Sequence, residues 1–297
     1  MSSKHQHTIP QFYLKSFLTP GLVYRRGKLA PHPVRNPKKV AVKRNYYGKA
    51  REQRGAIEHL NAFTENKGAP VLTKLIQNYR NITDSDWVIL SYLLASFAVR
   101  TPAAVEEFRS TQLVAAAKVN EMAERMIVKI DEALSEGKDM SLLVDSSPPG
   151  SESLTLDRLN KEWSILGMKK GHLLAVQALF AALPIVAKGM RKMTFQIWEA
   201  PSDLFFLTSD RPLYLQSRLT GSRVGAGWGK SDALGCIALC PSRFLCMFYH
   251  KDPSIYSLVA PPEVVAIFNF ETIRFAYEEV YSPFEYPPAY AWMRGEG

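Results

Sequence analysis

Near the start, KHQHTIPQFYL sets His5 and His7 one residue apart, directly before a proline and an aromatic run. Strand side chains alternate between two sides, so imidazoles at this spacing project in parallel, where they can share a metal ion or orient one another. A His-x-His pair is a weak signal, and two histidines hydrogen-bonding locally near a terminus would look the same. Far downstream, LFFLTSDRPLYL passes from apolar residues into Thr208, Ser209 and Asp210 and is stopped by Pro212, which delivers polar groups where a strand ends. Asp210 is placed there to bind a metal, orient a histidine or act as general base; an Asx turn is the competing explanation. Glu58 and Glu65, two helical turns apart, line one face with Asn61 beside Ile57 and Leu60, although carboxylates on an exposed face cost nothing. Arg100 closes the apolar helix SYLLASFAVRTP, where a guanidinium can complement the helix dipole or clamp a phosphate or carboxylate bidentately.

Other motifs promise less. GAGWGKS, residues 225–231, lacks the glycine a phosphate loop needs at position 224, which is Val, and strand-like DALGCIALC follows it instead of a helix. Cys236, Cys240 and Cys246 fit no structural zinc spacing, and an odd number argues against a disulfide framework, so reduced core thiols are expected. Charge is concentrated: residues 1–60 hold thirteen Lys and Arg against Glu52 and Glu58, a net of +11, whereas the 297-residue chain nets +9. A basic segment attracts polyanions, nucleic acid first among them, or is simply a solvated face.

Elements must bring these residues together. Pro10 suits the first turn of a short helix with an apolar face of Tyr13, Leu14, Phe17 and Leu18, after which LVYRRGKLAPHPV and KKVAVKRNYYG read as short strands or a hairpin. From Ala56 to about Met190 the period is helical. Gly68-Ala69-Pro70 is a candidate interruption, Thr83 with Asp86 makes an N-cap, and a charged helix runs from Pro102 to about Ser135. Residues 145–153, rich in Ser, Pro and Gly and without apolar periodicity, read as a linker, and helices resume at Leu154. After Met193 the period becomes two: TFQIWEAP, DLFFLTSD, PLYLQS, ALGCIALC and RFLCMFYH are read as strands, followed by the amphipathic helix PEVVAIFNFETIRFAYEEV and a polar-aromatic tail. The expectation is one α+β domain over residues 1–297. Its basic strand-rich segment is 1–55, its central helical region 56–190, and its mainly antiparallel sheet with a late helix 191–297, a sheet the N-terminal strands are free to join. The longest apolar stretch, Leu173–Ala187, is shorter than the roughly 20 residues of a membrane span and is broken by Pro184. No membrane partner is expected, and without a signal-peptide pattern a cytoplasmic location follows.

KHQHTIPQFYLKSF, IEHLNAFTE, FAVRTP, FLTSDRPL and IFNF before EEVYSP resemble, in that order and over nearly the whole chain, the bacterial family called domain of unknown function 4238. The resemblance implies that His5, His7, Gln11, Glu58, Glu65, Arg100, Ser209 and Asp210 belong together, and implies no activity. Ser96 is a departure, since that helix often carries a polar amide in the family.

Gathered in one cleft, these groups would equip a metal-assisted phosphodiesterase or nuclease acting on nucleic acid or a nucleotide. In that reading His5, His7 and Asp210 hold a divalent metal or do acid–base work, Glu58 or Glu65 completes the shell, Arg100 holds phosphate, and Gln11 and Ser209 contact substrate. Two rivals use the same residues. One is a non-catalytic module binding nucleic acid or protein through the basic segment. The other is a buried hydrogen-bond network fixing the N-terminus to the sheet.

Overall fold

The computed structural model describes residues 5–18, 20–34, 36–47, 51–112, 169–223 and 227–295. Two compact units share the chain, Met1–Ala104 with Ala178–Gly297, and Val105–Gln177. The second is described at 105–112 and 169–177, all helical; the expected continuation to Ser135 and the linker 145–153 lie outside the described residues.

In chain order the elements are β1 (His5–His7), α1 (Gln11–Lys15), β2 (Leu22–Arg25), β3 (His32–Pro33), β4 (Val42–Arg44), α2 (Arg51–Gln77) and α3 (Asp84–Val99). Next come α4, described over Pro102–Gln112, and α5 (Lys169–Met190). The C-terminal part contributes β5 (Met193–Glu199), β6 (Thr208–Ser209), β7 (Leu213–Ser217), β8 (Ala233–Cys240), β9 (Arg243–Tyr249), β10 (Ile255–Val259), α6 (Pro262–Phe275), β11 (Glu279–Ser282) and α7 (Pro288–Arg294). The fold is mixed α+β, as the change of period predicts. Helices occupy the middle of the chain, and the main C-terminal sheet, ordered β10-β5-β9-β8-β7, is antiparallel except for the β10–β5 pair. Seven of the eight β8 residues are buried, so the strand is covered on both faces and reads as a continuous apolar run. The three thiols are free and buried in this sheet or at its edge.

The N-terminal strands do reach C-terminal sequence, but through β11. The sequence pattern assigns that segment to a helix end and a tail. Instead it lies between β2 and β6 in a second sheet, β3-β2-β11-β6, with Arg25 opposite Glu279. The apolar run before Thr208 is not a strand. The Leu207 amide donates to Asn269 Oδ1 (2.8 Å) and Asn269 Nδ2 donates to the Phe205 carbonyl (2.9 Å), so one side-chain amide on α6 supplies the hydrogen bonds a neighbouring strand would have given.

Among the helices, α2 continues unbroken through Gly68-Ala69-Pro70. A Cβ on Gly68 would come within 2.9 Å of the Leu93 side chain, so the glycine lets α2 and α3 approach closely. Thr83 and Asp86 form the expected capping box at the start of α3. In α1, Tyr13 is fully buried against Phe97 (4.9 Å between ring centroids), and its hydroxyl meets Thr208 Oγ1 (2.6 Å) and the Ala238 carbonyl (2.7 Å). Burying Tyr13, Leu14 and Phe17 is worth roughly 2–3 kcal/mol each, which ties the start of the chain to β6 and β8. Among the described residues no single helix is long and apolar enough to cross a membrane.

Candidate functional site

Immediately before α1, β1 pairs antiparallel with β4 in a two-stranded ribbon, with His5 opposite Arg44, Gln6 opposite Lys43 and His7 opposite Val42. Directly opposed residues share a face, so His5, Arg44 and His7 lie on one side and Gln6 on the other. Gln6 points inward: its Nε2 donates to Glu58 Oε1 (3.1 Å), and its Oε1 accepts the Tyr47 amide (2.9 Å). The His7 carbonyl is held twice, by Arg100 Nη2 (2.8 Å) and by the Tyr47 hydroxyl (3.1 Å). Arg100 Nη1 donates to Glu65 Oε1 at 2.7 Å. The inner face is thus a clamp whose parts come from β1, the turn after β4, α2 and the C-cap of α3. The Glu58–Glu65 spacing is what aims both carboxylates of α2 at it.

Arg100 is 2% exposed. Burial pushes its pKa down, but the neighbouring Tyr47 and Glu65 more than reverse this, so the charge is kept. Among the described residues Arg100 Nε and Asn61 Oδ1 are buried without a hydrogen-bond partner. The half-buried His7 ring has the Gln11 amide nitrogen 3.0 Å from Nε2 and 3.3 Å from Nδ1. Burial lowers the His7 pKa below its usual value; a hydrogen bond to the Val40 backbone opposes this and the Arg100 charge adds to it, so the neutral ring is favoured more than in a free histidine. Two residues in left-handed backbone bracket β4, Ala41 (φ 52°) and Asn45 (φ 55°). Asn tolerates that conformation, whereas Ala carries roughly 1–2 kcal/mol of strain there.

The remaining predicted residues are elsewhere in the hydrogen-bond pattern. Asp210 is 6% exposed, and its two oxygens accept the amides of Tyr277 (2.9 Å) and Glu278 (2.7 Å). Ser209 Oγ is engaged with the backbone of Arg211. Asp210 therefore staples the turn between α6 and β11. Burial raises its pKa to about 6. Among the described residues no three His, Cys, Asp or Glu side chains gather as a metal set, so His5, His7 and Asp210 do not form the expected triad. The physical reason is topological: the two imidazoles ride on the ribbon, while the carboxylate is consumed by backbone amides inside the second sheet. Arg100 is likewise not presented to an incoming phosphate, because both terminal nitrogens are engaged. Gln6 and Tyr47 carry no motif that marks them in sequence, although strict alternation already requires Gln6 to face away from the histidines.

The basic segment is partly neutralised by acids distant in sequence. Arg25 pairs with Glu279 and Lys43 with Glu278. Lys38, Lys39 and Arg44 stay exposed with no acidic partner among the described residues.

A family model described as "Protein of unknown function (DUF4238)" matches residues 5–283. No curated protein and no solved structure matches the chain.

Proposed function

Because the chain belongs to this family of unknown function, its activity has to be read from its own side chains, and we propose that it binds nucleic acid through the outer face of the β1–β4 ribbon. The register carries the reading: His5, Arg44 and His7 share one face, with the exposed Lys38 and Lys39 preceding β4, while the opposite face is locked by Gln6, Glu58, Arg100 and Glu65. Rigid presentation cuts the entropy cost of ordering a phosphate contact, and the strained Ala41 is consistent with a segment held for function. The test is fluorescence anisotropy with labelled single- and double-stranded DNA and RNA at 50 and 200 mM salt. Binding should weaken steeply with salt, and Arg44→Gln should weaken it evenly across sequences and reduce the log–log salt slope by about 1. Salt-independent binding, or equal binding by Arg44→Gln and the Lys38→Gln/Lys39→Gln double variant, overturns the reading.

The His7 environment favours a second reading, phosphodiester hydrolysis. A half-buried imidazole whose neutral form is favoured, held by the Gln11 amide on the same ribbon face as Arg44, is suited to proton transfer at a phosphodiester bound there. Cleavage would be assayed with Mg²⁺, Mn²⁺, Zn²⁺ or EDTA. Wild-type protein that binds but never cleaves, or cleavage that survives His7→Ala, rejects it.

A further inference from the structure

At the C-terminal end of α5 a pocket of about 520 Å³ opens between that helix and the loop preceding β8, lined by Lys188, Gly189 and Lys192 on one side and Trp228, Ser231 and Tyr249 on the other. None of these residues belongs to the ribbon or its clamp. Among the described residues no carboxylate lines the pocket and neither lysine has an ion-pair partner. Lys188 stands in the last turn of α5 and Lys192 just past its end, and both border the same opening. Two cations there outweigh the partial negative charge of the helix terminus.

The walls are held in place. The Tyr249 hydroxyl donates to the Trp228 carbonyl on the loop and lies 3.5 Å from the Gly189 carbonyl on the helix, bridging the two sides. The Trp228 ring lies against Gly235 of β8, where a Cβ would come within 2.7 Å of the indole, so a side chain there would displace it. A glycine inside a strand often marks such a close approach. Ile185, on the rim, is 74% exposed.

Trp228, two cations at one helix end, a hydroxyl and, among the described residues, no acid make up a recognition set for a planar ring carrying a negative charge. The volume matches a small organic ligand. We propose that this pocket binds a mononucleotide or a similar planar organic phosphate, the ring against Trp228 and the phosphate at Lys188 and Lys192. The inference is independent of nucleic-acid binding at the ribbon.

Calorimetric titration of the full chain with AMP, GMP, CMP and UMP tests it, with inorganic phosphate and adenosine as separate arms and a single-stranded decanucleotide to distinguish a free nucleotide from one within a strand. At least one mononucleotide should bind at least 10-fold tighter than phosphate or adenosine. The Lys188→Gln/Lys192→Gln variant, two exposed changes, should lose at least 10-fold in affinity at an unchanged melting temperature, and Trp228→Leu should lose as much. If the decanucleotide alone binds, if no mononucleotide binds at millimolar concentration, or if affinity survives the double lysine variant, the proposal is overturned.

Discussion

Replacing Asp210 by Asn separates a structural staple from a reactive carboxylate. In the folded chain burial lifts this acid from 3.8 to about 6, against the pull of the Tyr277 and Glu278 amides and with the help of the neighbouring Glu279 charge; Arg211, itself lowered to about 10 by burial, lies close enough to interact. A shift of about 2 units at 1.36 kcal/mol each is about 3 kcal/mol. The sign follows from proton linkage. The folded state binds the proton more tightly than the unfolded chain, so this group's contribution is most favourable below about pH 4 and falls by about 3 kcal/mol as pH rises to about 6 and beyond. Asn removes the titration but turns an amide N–H₂ toward one of the two backbone donors, at a cost of roughly 1–3 kcal/mol independent of pH. Urea unfolding of wild type and Asp210→Asn at half-unit steps from pH 4 to 7.5 gives the difference directly. The stability of wild type relative to the variant should shrink by about 2 kcal/mol across that range, part of the full shift being already lost at pH 4, and then level off. A flat difference would mean that the two amide hydrogen bonds cancel the cost of burial, and one that grows with pH would mean that they outweigh it. Either result refutes burial as the dominant influence on Asp210.

Breaking the clamp should release the ribbon. Arg100→Met should cost about 2–4 kcal/mol, less than a fully buried pair because Glu65 is 26% exposed, and should raise amide exchange at 5–8 and 41–44 before the rest of the unit; unchanged exchange there refutes the clamp. His7, whose folded pKa is depressed by burial, contributes stability that is present above its ordinary value of 6.5 and lost as pH falls through its folded value. His7→Gln should flatten that part of the pH–stability curve, and a parallel curve would disprove it. Gly68→Ala adds up to about 1 kcal/mol of helix propensity yet should destabilise by a net of roughly 1–3 kcal/mol, since its methyl meets Leu93; a rise in melting temperature would show that α2 and α3 have room to separate.

Local rules were legible where one residue's neighbours settle its conformation. The Thr83–Asp86 box, the short aromatic helix after Pro10 and the strand run Met193–Glu199 are all written in spacing that hydrogen bonding and burial act on directly. What escaped was long-range substitution. Nothing near Phe205 announces that Asn269 will stand in for a strand, and nothing in EEVYSP announces that β2 and β6 will flank it. The +11 of the first sixty residues is a correct count but an overestimate of the local field, because Glu278 and Glu279 arrive from the other end of the chain to pair with Lys43 and Arg25.

The same distinction explains why the sharpest motifs proved to be poor guides to exposed chemistry. A polar group that ends an apolar run, or a guanidinium that ends an apolar helix, is forced into low-dielectric surroundings where leaving it unpaired is expensive, so the fold satisfies it internally. Asp210 is taken by two amides and Arg100 by Glu65 and a carbonyl. In the two proposals the residues that meet a ligand are ones whose own surroundings did not demand a partner: Arg44 on the outer ribbon face, Lys38 and Lys39 before it, Lys188 and Lys192 beside Trp228. In sequence these look like ordinary solvated charges. What sets them apart is the register of β1 on β4 and, for the two lysines, a shared pocket at the end of α5.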